Sequence, residues 1–228
     1  MKTNPIIVAL DFESAAEAAA LVAKLGDRVD FYKVGMELYA AAGMAFAKEL
    51  RAQGKNVFLD MKFYDIPETV RRAVCQVARA ELQFLTVHGS DAVMRAAVEG
   101  RGAASLKLLA VTVLTSFDRH DIADLGYPCE VSDLVDLRVR KAQKLGVEGI
   151  VASPLDAARV RGIAGTEAIL VTPGVRSAGA DKADQKRIAT PAEAIRDGAD
   201  YVVMGRQITR ATDPAGAVER VLEEIAGA

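Results

Sequence analysis

The chain has 228 residues, of which 51% are hydrophobic and 26% are charged. These are ordinary values for a globular protein, and they exclude a disordered or collagen-like chain. Its 29 basic and 31 acidic residues give a net charge of -2, so the composition predicts no general attraction to nucleic acid or to an anionic membrane. An anionic ligand therefore requires a local cluster of basic residues.

Short runs of β-branched residues alternate with longer stretches of helical period along the whole chain. We predict strands at residues 6–11, 31–35, 56–62, 84–89, 106–114, 149–153, 168–173 and 201–205. We predict helices at residues 14–25, 37–52, 66–81, 91–99, 131–145, 155–163, 191–197 and 213–226. Eight βα units in this length favour a single-domain (β/α)8 barrel, a TIM barrel, over residues 1–228. A doubly wound parallel sheet has the same alternation and is the alternative.

Several acidic or hydroxyl residues stand at predicted helix starts. The clearest predicted N-caps are Ser14, Asp91, Thr190 and Asp213. The segment Asp65-Ile-Pro-Glu68 also fits an N-cap with a reciprocal acidic partner, although Asp65 has a second interpretation given below.

Cysteine and histidine usage limits the compartment and the chemistry. Cys75 and Cys129 match neither a zinc-binding nor a redox spacing, so a disulfide framework is not expected and a reducing cytoplasm is predicted. The apolar run at residues 6–10 is too short for a signal peptide or a membrane span. With His88 and His120 as its only histidines, the sequence disfavours a histidine-rich metal site.

Two predicted connections, residues 115–130 and 174–190, are longer than the others. Both follow the C-terminal ends of strands, where barrel enzymes carry their chemistry. The second is rich in glycine and alanine and contains several basic residues. This composition indicates either a mobile lid over an anion or a solvated loop.

Charged residues stand within or at the ends of the first three predicted strands, where inward positions of a barrel are normally apolar. Asp11 ends the first strand, Lys33 lies within the second, and Asp60 and Lys62 share one face of the third. Asp65 follows the third strand, and the charges of Lys33, Asp60, Lys62 and Asp65 sum to zero. Because buried charges are tolerated when they pair, we predict a charge-alternating network in a partly dry site. A salt-bridge cluster that ties strand ends together is the structural alternative.

Two segments after the last two predicted strands fit a phosphate site. Thr172-Pro-Gly174-Val-Arg176 follows the seventh strand, and Gly205-Arg206 follows the eighth. Loops at these positions commonly bind phosphate in such barrels. Gly205 allows close backbone approach, and the Arg206 guanidinium can hold two phosphate oxygens. A turn with a surface arginine is the alternative.

At Asp60-Met-Lys62-Phe-Tyr-Asp65-Ile-Pro-Glu-Thr69 the sequence resembles the orotidine 5′-phosphate decarboxylase family, whose signature is DxKFxDIPxT. The resemblance extends along essentially the whole chain, through Ala-Leu-Asp11, Tyr-Lys33-Val-Gly, Val-Thr-Val-Leu-Thr115-Ser, Pro-Gly-Val-Arg176, Asp-Gln185-Lys-Arg and Gly205-Arg206. It implies conversion of the substrate orotidine 5′-phosphate to UMP and CO2, by a homodimer without metal or organic cofactor.

The resemblance also implies a role for each matching residue. Lys62 would protonate C6 of the pyrimidine as CO2 leaves, Asp60 would lie beside the scissile carboxylate, and Lys33 would hold the charge network in place. Asp65 and Thr69 would reach across the interface into the partner subunit's site, towards the ribose.

The remaining matches imply contacts with the substrate. Asp11 would hold ribose hydroxyls, and Thr115 would contact the pyrimidine edge. The lid and the phosphate site would comprise Arg176, Gln185, Gly205 and Arg206. The sequence departs from the family at three positions without an assigned role, where His, Asn and Pro are more usual: Tyr64, Glu68 and Gln207.

Three rival functions share part of this pattern. Sugar-phosphate decarboxylases and hexulose-phosphate synthases share a DxKxxD element but bind Mg²⁺, with an acidic residue where this chain has Lys33. A cation there repels the metal and removes a hard oxygen ligand. A catalytically silent nucleotide-phosphate-binding barrel would keep Arg176, Gly205 and Arg206 but would not need Lys62. A barrel isomerase of amino-acid pathways would explain the phosphate loops but not the four-charge network.

Overall fold

The computed structural model describes residues 4–177 and 189–227, and within these ranges eight parallel strands close into a barrel. The strands are β1 (Ile6–Ala9), β2 (Phe31–Gly35), β3 (Asn56–Phe63), β4 (Phe84–His88), β5 (Lys107–Val111), β6 (Gly149–Val151), β7 (Ile169–Pro173) and β8 (Tyr201–Met204). Each strand pairs with the next one in sequence, and β8 pairs with β1. The predicted (β/α)8 fold is confirmed.

Helices follow the strands and cover the outside of the barrel. They are α1 (Ala15–Leu25), α2 (Met36–Ala52), α3 (Pro67–Arg79), α4 (Asp91–Arg101), α5 (Arg119–Asp124), α6 (Val131–Leu145), α7 (Ala157–Ala164), α8 (Pro191–Arg196), α9 (Arg206–Thr209) and α10 (Pro214–Ala226). The sequence analysis does not predict α5 and α9, which have only six and four residues. The six-residue α8 is predicted because Thr190 and Pro191 mark its start. Within the ranges the structure describes, every helix is too short or too polar to cross a bilayer.

Side-chain capping explains where several helices begin. Three predicted N-caps are confirmed, because each side chain accepts a hydrogen bond from a backbone N–H of the first turn: Ser14, Thr190 and Asp213. The prediction for Asp91 is wrong. Ser90 is the N-cap, and Asp91 is the first helical residue, where its carboxylate pairs with Arg95 at 2.8 Å.

The barrel interior is filled by side chains from alternate strand positions, namely Ile7, Ala9, Phe31, Phe58, Phe84, Leu109, Val111, Val151, Val171 and Val203. At the N-terminal end of the strands, the Phe31, Phe84 and Tyr201 rings pack with centroids 4.9 to 5.5 Å apart. A larger apolar layer lies between the strands and the helices. Because aromatic rings close the N-terminal end, the barrel's ligand space lies at the C-terminal end of the strands.

Five strands end one to three residues earlier than predicted, namely β1, β4, β5, β6 and β8. β1 ends at Ala9 rather than at residue 11, and β5 ends at Val111 rather than at residue 114. Val113 and Leu114 therefore belong to a loop, where they line two pockets. Their apolar character continues that of β5, so the sequence pattern alone extends the strand through them.

Candidate active site

The C-terminal ends of the strands surround a pocket of about 360 Å³, a size suited to a small-molecule ligand. Its lining includes eight residues singled out from the sequence, which are Asp11, Lys33, Asp60, Lys62, Thr115, Arg176, Gly205 and Arg206. Apolar side chains fill the wall between them, among them Phe58, Val111, Val151, Pro173 and Val203. The alternating charges come from the β1–β3 side, and the two arginines come from the β7–β8 side.

A chain of alternating charges crosses the β1–β3 side of this pocket. The Lys33 Nζ atom lies 3.0 Å from Asp11 Oδ1 and 3.8 Å from Asp60 Oδ2. The Lys62 Nζ atom lies 2.8 Å from Asp60 Oδ1. The Lys33 and Asp60 side chains are only 11% and 16% exposed, so their pairing offsets a real desolvation cost. The four charges that sum to zero in the structure are therefore Asp11, Lys33, Asp60 and Lys62. The sequence prediction had Asp65 in the place of Asp11.

The Asp60 carboxylate is the centre of this network. Burial raises its pKa. The Lys33 and Lys62 ammonium groups, together with hydrogen bonds from Lys62 and Thr86, lower the pKa by more than burial raises it. The net result is a pKa below the usual range of an aspartate, so Asp60 is ionised at neutral pH. The Thr86 hydroxyl donates to Asp60 Oδ1 at 2.9 Å and fixes the carboxylate from the neighbouring strand.

The backbone of β3 leaves regular strand geometry at Lys62, whose φ is 48°. The left-handed region costs a residue with a Cβ atom roughly 1–2 kcal/mol. The Lys62 N–H donates to Thr86 Oγ1 at 2.9 Å, and the register of β3 against β4 shifts between Leu59 and Phe63. Lys62 thus departs from the strand alternation assumed in the sequence analysis, although its Nζ atom still reaches Asp60. Strain of this kind is concentrated at functional sites.

Gly35 provides the space in which the Lys33 ammonium lies, and sequence reasoning missed it. A Cβ atom at this position would lie 2.8 Å from Lys33 Nζ and 3.3 Å from Asp11 Oδ1. Its φ of -94° is open to any residue, so the requirement for glycine is one of space. The available signal was its place two residues after Lys33, on the same face of β2. Thr86 was missed too, and its signal was a polar residue at an inward position of β4.

The β7–β8 side of the pocket carries Arg176, Gly205 and Arg206. Gly205 has a φ of -111°, and a Cβ atom there would have Ala9 Cβ, at 3.9 Å, as its nearest neighbour. Packing against the described residues therefore does not require glycine here. The missing side chain leaves the pocket open beside Arg206. Gln185, which the resemblance assigned to the lid, lies outside the described residues.

Asp65 and Thr69 are exposed, and neither lines the pocket of its own chain. The prediction that Asp65 caps α3 is wrong, because Ile66 is the N-cap residue and has no side-chain capping bond. Asp65 Oδ1 instead accepts a hydrogen bond from the Ile66 N–H at 2.7 Å. Glu68 pairs with Arg71 at 2.8 Å instead of reaching back to the helix start.

A second pocket of about 400 Å³ adjoins the first and shares four lining residues with it, which are Lys62, Val111, Val113 and Leu114. In it, the Tyr64 and His88 rings pack at an interplanar angle of 32°, with centroids 4.2 Å apart. Burial, together with the nearby Arg138 guanidinium, lowers the pKa of His88 to about 4. The His88 imidazole is therefore neutral at physiological pH.

Across residues 4–177 and 189–227, no three His, Cys, Asp or Glu side chains form a group suited to a metal ion. Asp11 and Asp60 are the acidic residues that line the first pocket. The Lys33 ammonium contacts both, so a cation from the protein already occupies the space between these carboxylates.

Comparison with known proteins gives consistent matches over nearly the whole chain. The model of the "Orotidine 5'-phosphate decarboxylase / HUMPS family" matches residues 4–221. A protein of Nitrobacter winogradskyi named orotidine 5′-phosphate decarboxylase is 51% identical over 223 residues, which cover 98% of this chain and 93% of that protein. A protein of the same name from Rhodopseudomonas palustris strain BisA53 is 52% identical and covers 98% and 95% of the two chains.

Solved structures show the same similarity in three dimensions. The crystal structure of orotidine 5′-phosphate decarboxylase from Lactobacillus acidophilus aligns with a TM-score of 0.85 at 34% identity. The alignment covers 98% of this chain and 99% of that chain. An uncharacterized conserved protein from Geobacillus kaustophilus aligns with a TM-score of 0.84, also at 34% identity.

Proposed function

The chain belongs to the orotidine 5′-phosphate decarboxylase / HUMPS family, and we propose that it converts orotidine 5′-phosphate to UMP and CO2 in pyrimidine biosynthesis. The observation that carries this proposal is the Asp11–Lys33–Asp60–Lys62 network in a pocket that also holds two arginines. The names of the relatives support the same reaction. The chain would perform it as a single barrel domain.

The two sides of the pocket suit the two ends of this substrate. Guanidinium groups are suited to a phosphate dianion, so Arg176 and Arg206 would hold the 5′-phosphate. The pyrimidine ring would then extend toward the β1–β3 side, with its carboxylate near Asp60 and its C6 atom near Lys62. Asp11 would hold ribose hydroxyls. The further substrate contacts implied by the family are those of Thr115, Gln185, and the partner's Asp65 and Thr69.

The reaction breaks the bond between C6 and the carboxylate carbon. CO2 leaves, and the electron pair remains on C6 in an orbital that the ring π-system cannot delocalise. The charge must therefore be stabilised electrostatically. The Lys62 ammonium pairs with the developing carbanion and then donates its proton to C6, which completes UMP. Lys62 is left as a neutral amine and regains a proton from water.

One ion pair cannot supply the whole acceleration. Two unit charges at about 4 Å interact by roughly 4 kcal/mol at an effective dielectric constant of about 20. Enzymatic accelerations typically require about 8–23 kcal/mol. The remainder would come from exclusion of water and from phosphate binding energy. Asp60 contributes by holding Lys62 in place and by setting a negative charge beside the substrate carboxylate, which favours its loss as neutral CO2.

The metal-dependent branch of the family is the nearest alternative, and Lys33 argues against it. Its side chain contacts both Asp11 and Asp60, the two carboxylates that could otherwise hold Mg²⁺ in this pocket. A hard divalent cation prefers oxygen ligands and is repelled by an adjacent ammonium group. We therefore propose a reaction without a metal ion and, as the family resemblance implies, without an organic cofactor.

A second copy of this chain is the proposed partner. Asp65 and Thr69 are exposed near the start of α3, outside the pocket of their own chain. Large apolar side chains are exposed around them, with Tyr64 at 69% and Ile66 at 68%. An exposed apolar patch of this kind marks an interaction surface. In a two-fold dimer, this surface would bring each Asp65 and Thr69 to the partner's pocket.

The proposed reaction also fits a cytoplasmic location. Cys75 and Cys129 are both free thiols, as is usual in a reducing compartment. The product UMP is a nucleotide that is consumed inside the cell.

A direct assay tests the proposed activity. Purified protein is mixed with orotidine 5′-phosphate in the presence of EDTA, and UMP formation is followed. We expect multiple turnovers at a rate that added Mg²⁺ does not change. UMP binding without turnover would support the silent nucleotide-binding barrel, and activity that appears only with Mg²⁺ would support the metal-dependent branch. Either result would overturn the proposal.

A further inference from the structure

Gln207 makes two hydrogen bonds to Ser177, between the segments that follow β7 and β8. Its Oε1 atom accepts from the Ser177 backbone N–H at 3.1 Å, and its Nε2 atom donates to Ser177 Oγ at 2.6 Å. Both residues are half-buried. Ser177 directly follows Arg176, and Gln207 directly follows Arg206, so each partner is the neighbour of a pocket-lining arginine.

We propose that Gln207 is a positioning residue that fixes Arg176 and Arg206 relative to each other and thereby sets the affinity for the substrate's phosphate group. This inference rests on the proposed function, which assigns the two arginines to that phosphate. Gln207 itself does not line the pocket.

The hydrogen bonds hold the backbone on both sides of Arg176. The Arg176 N–H donates to the Ala189 carbonyl at 3.0 Å, which orients the peptide group before its Cα atom. The Ser177 N–H donates to Gln207 Oε1, which orients the peptide group after it. With both peptide groups held, the φ and ψ angles of Arg176 are defined. The direction in which its side chain leaves the backbone is therefore fixed as well.

The other end of the contact is equally well held. Gln207 is the second residue of α9, whose first turn is closed by hydrogen bonds from the Ile208 and Thr209 N–H groups to the Gly205 carbonyl, at 2.8 and 3.0 Å. Arg206 is the first residue of the same turn. The Gln207 amide thus connects a rigid turn that carries Arg206 to the backbone that carries Arg176.

The chemistry of the side chain explains why glutamine can do this. An amide offers one acceptor and two donors, so it can satisfy the Ser177 N–H and hydroxyl together. Proline, which is more usual here in the family the sequence resembles, has no side-chain donor or acceptor. The contact is therefore a feature of this chain's own sequence.

A double-mutant cycle on ligand binding tests the inference. Gln207→Leu removes the amide at similar size, Ser177→Ala removes the hydroxyl, and the double variant removes both. Affinity is measured for UMP and for uridine, which lacks the phosphate. We expect Gln207→Leu to weaken UMP binding about three- to tenfold, the range for one or two hydrogen bonds, and to leave uridine binding unchanged. The double variant should match Gln207→Leu, because Ser177 Oγ acts through the amide.

The matched control is Gln143→Leu. Gln143 on α6 donates to the Ala164 carbonyl away from the pocket, so the same chemical change there should leave UMP affinity unaltered. Thermal unfolding of each variant verifies that the fold is retained.

Three results would overturn the positioning role. The first is an unchanged UMP affinity in Gln207→Leu, and the second is an equal loss of affinity for UMP and for uridine. The third is a double variant whose loss of UMP affinity equals the product of the losses in the two single variants. A wild-type protein that turns over orotidine 5′-phosphate but gives one of these results loses only the positioning role. A wild-type protein that binds neither nucleotide loses the proposed function and this inference together.

Discussion

The Nζ atom of Lys62 lies 2.8 Å from Oδ1 of Asp60, although the backbone at Lys62 has left extended strand geometry. The other oxygen of the same carboxylate faces Lys33 Nζ at 3.8 Å. A carboxylate held between two ammonium groups stays ionised and orients both of them. A substitution at any of the three residues should therefore disturb the other two.

Replacing Asp60 with Asn keeps the shape of the side chain and removes its charge. Lys33 and Lys62 then lack their shared carboxylate, so we expect a loss of turnover and a destabilisation of about 3–5 kcal/mol at pH 7. Because folding lowers the pKa of Asp60, its contribution is complete above the unfolded pKa of about 3.9 and is lost as the pH falls through the folded value. Urea unfolding should give a constant difference from wild type between about pH 5 and 8, shrinking below about pH 4.

Asp27→Asn is the control for this experiment, because it removes the same charge from an exposed ion pair. Asp27 is fully exposed, and its Oδ1 atom lies 3.9 Å from Lys55 Nζ. It should change neither turnover nor stability measurably. A difference between Asp60→Asn and wild type that persists undiminished at pH 3 would contradict the assigned role of the ionised carboxylate.

Replacing Gly35 with Ala places a methyl group where the Lys33 ammonium now lies. The displaced atom is the end of a flexible side chain, so we expect the fold to be retained, with the free energy of unfolding lowered by about 1–3 kcal/mol. The Lys33–Asp11 contact should break, and kcat/KM should fall at least about tenfold. Gly162→Ala on α7 is the matched control, because a Cβ atom there meets nothing within 4 Å. Full activity in Gly35→Ala would show that the Lys33 position is not critical.

The lowered pKa of the half-buried His88 predicts a pH-dependent stability. Its pKa of about 4 lies below the unfolded value of about 6.5, because of burial and the Arg138 guanidinium. The unfolded chain therefore binds more protons between these values, and stability should rise as the pH increases from about 4 to 6.5. We expect urea unfolding at pH 5 and 7 to show a smaller rise in His88→Gln than in wild type. His120→Gln, at an exposed position, should retain the wild-type rise; an equal loss in both variants would exclude His88 as the cause.

Subunit mixing tests the proposed dimer. Lys62→Ala and Asp65→Asn should each be inactive, since the two residues would serve one site from different subunits. A hybrid dimer would contain one site with native Lys62 and the partner's native Asp65. After joint unfolding and refolding of equal amounts, random pairing should restore roughly a quarter of the wild-type activity. No recovery, with hybrid dimers verified by mass spectrometry, would place both residues in the same subunit's site.

The four charges of the pocket could be predicted because they depend on chain order alone. Parallel strands in a barrel end at the same face, so residues near the C-terminal ends of β1, β2 and β3 must meet there. The sequence marks Gly35 and Thr86 only as a glycine and a polar residue at inward strand positions, which does not reveal what they contact. Their roles depend on the direction of the Lys33 side chain and on the irregular backbone at Lys62, which no residue pattern specifies.

Contacts between loops were also beyond the sequence. The Gln207–Ser177 pair joins residues 30 positions apart, and neither residue belongs to a regular strand. The spacing of Asp65 and Glu68 matches that of a helix N-cap and its reciprocal acidic partner, and this local pattern alone predicted a cap at Asp65. In the structure, Glu68 has Arg71 as its partner, and that competing ion pair prevents the reciprocal cap.

The role of Lys62 as proton donor is decided by the kcat of Lys62→Ala, measured together with its dissociation constant for UMP. Loss of about 4 kcal/mol of carbanion stabilisation corresponds to roughly a thousandfold in rate. We predict at least that decrease in kcat, with UMP affinity within about threefold of wild type because the product carries no carbanion. Lys144→Ala, at an exposed position on α6, should behave as wild type. A Lys62→Ala variant that decarboxylates within about tenfold of the wild-type rate would contradict the mechanism.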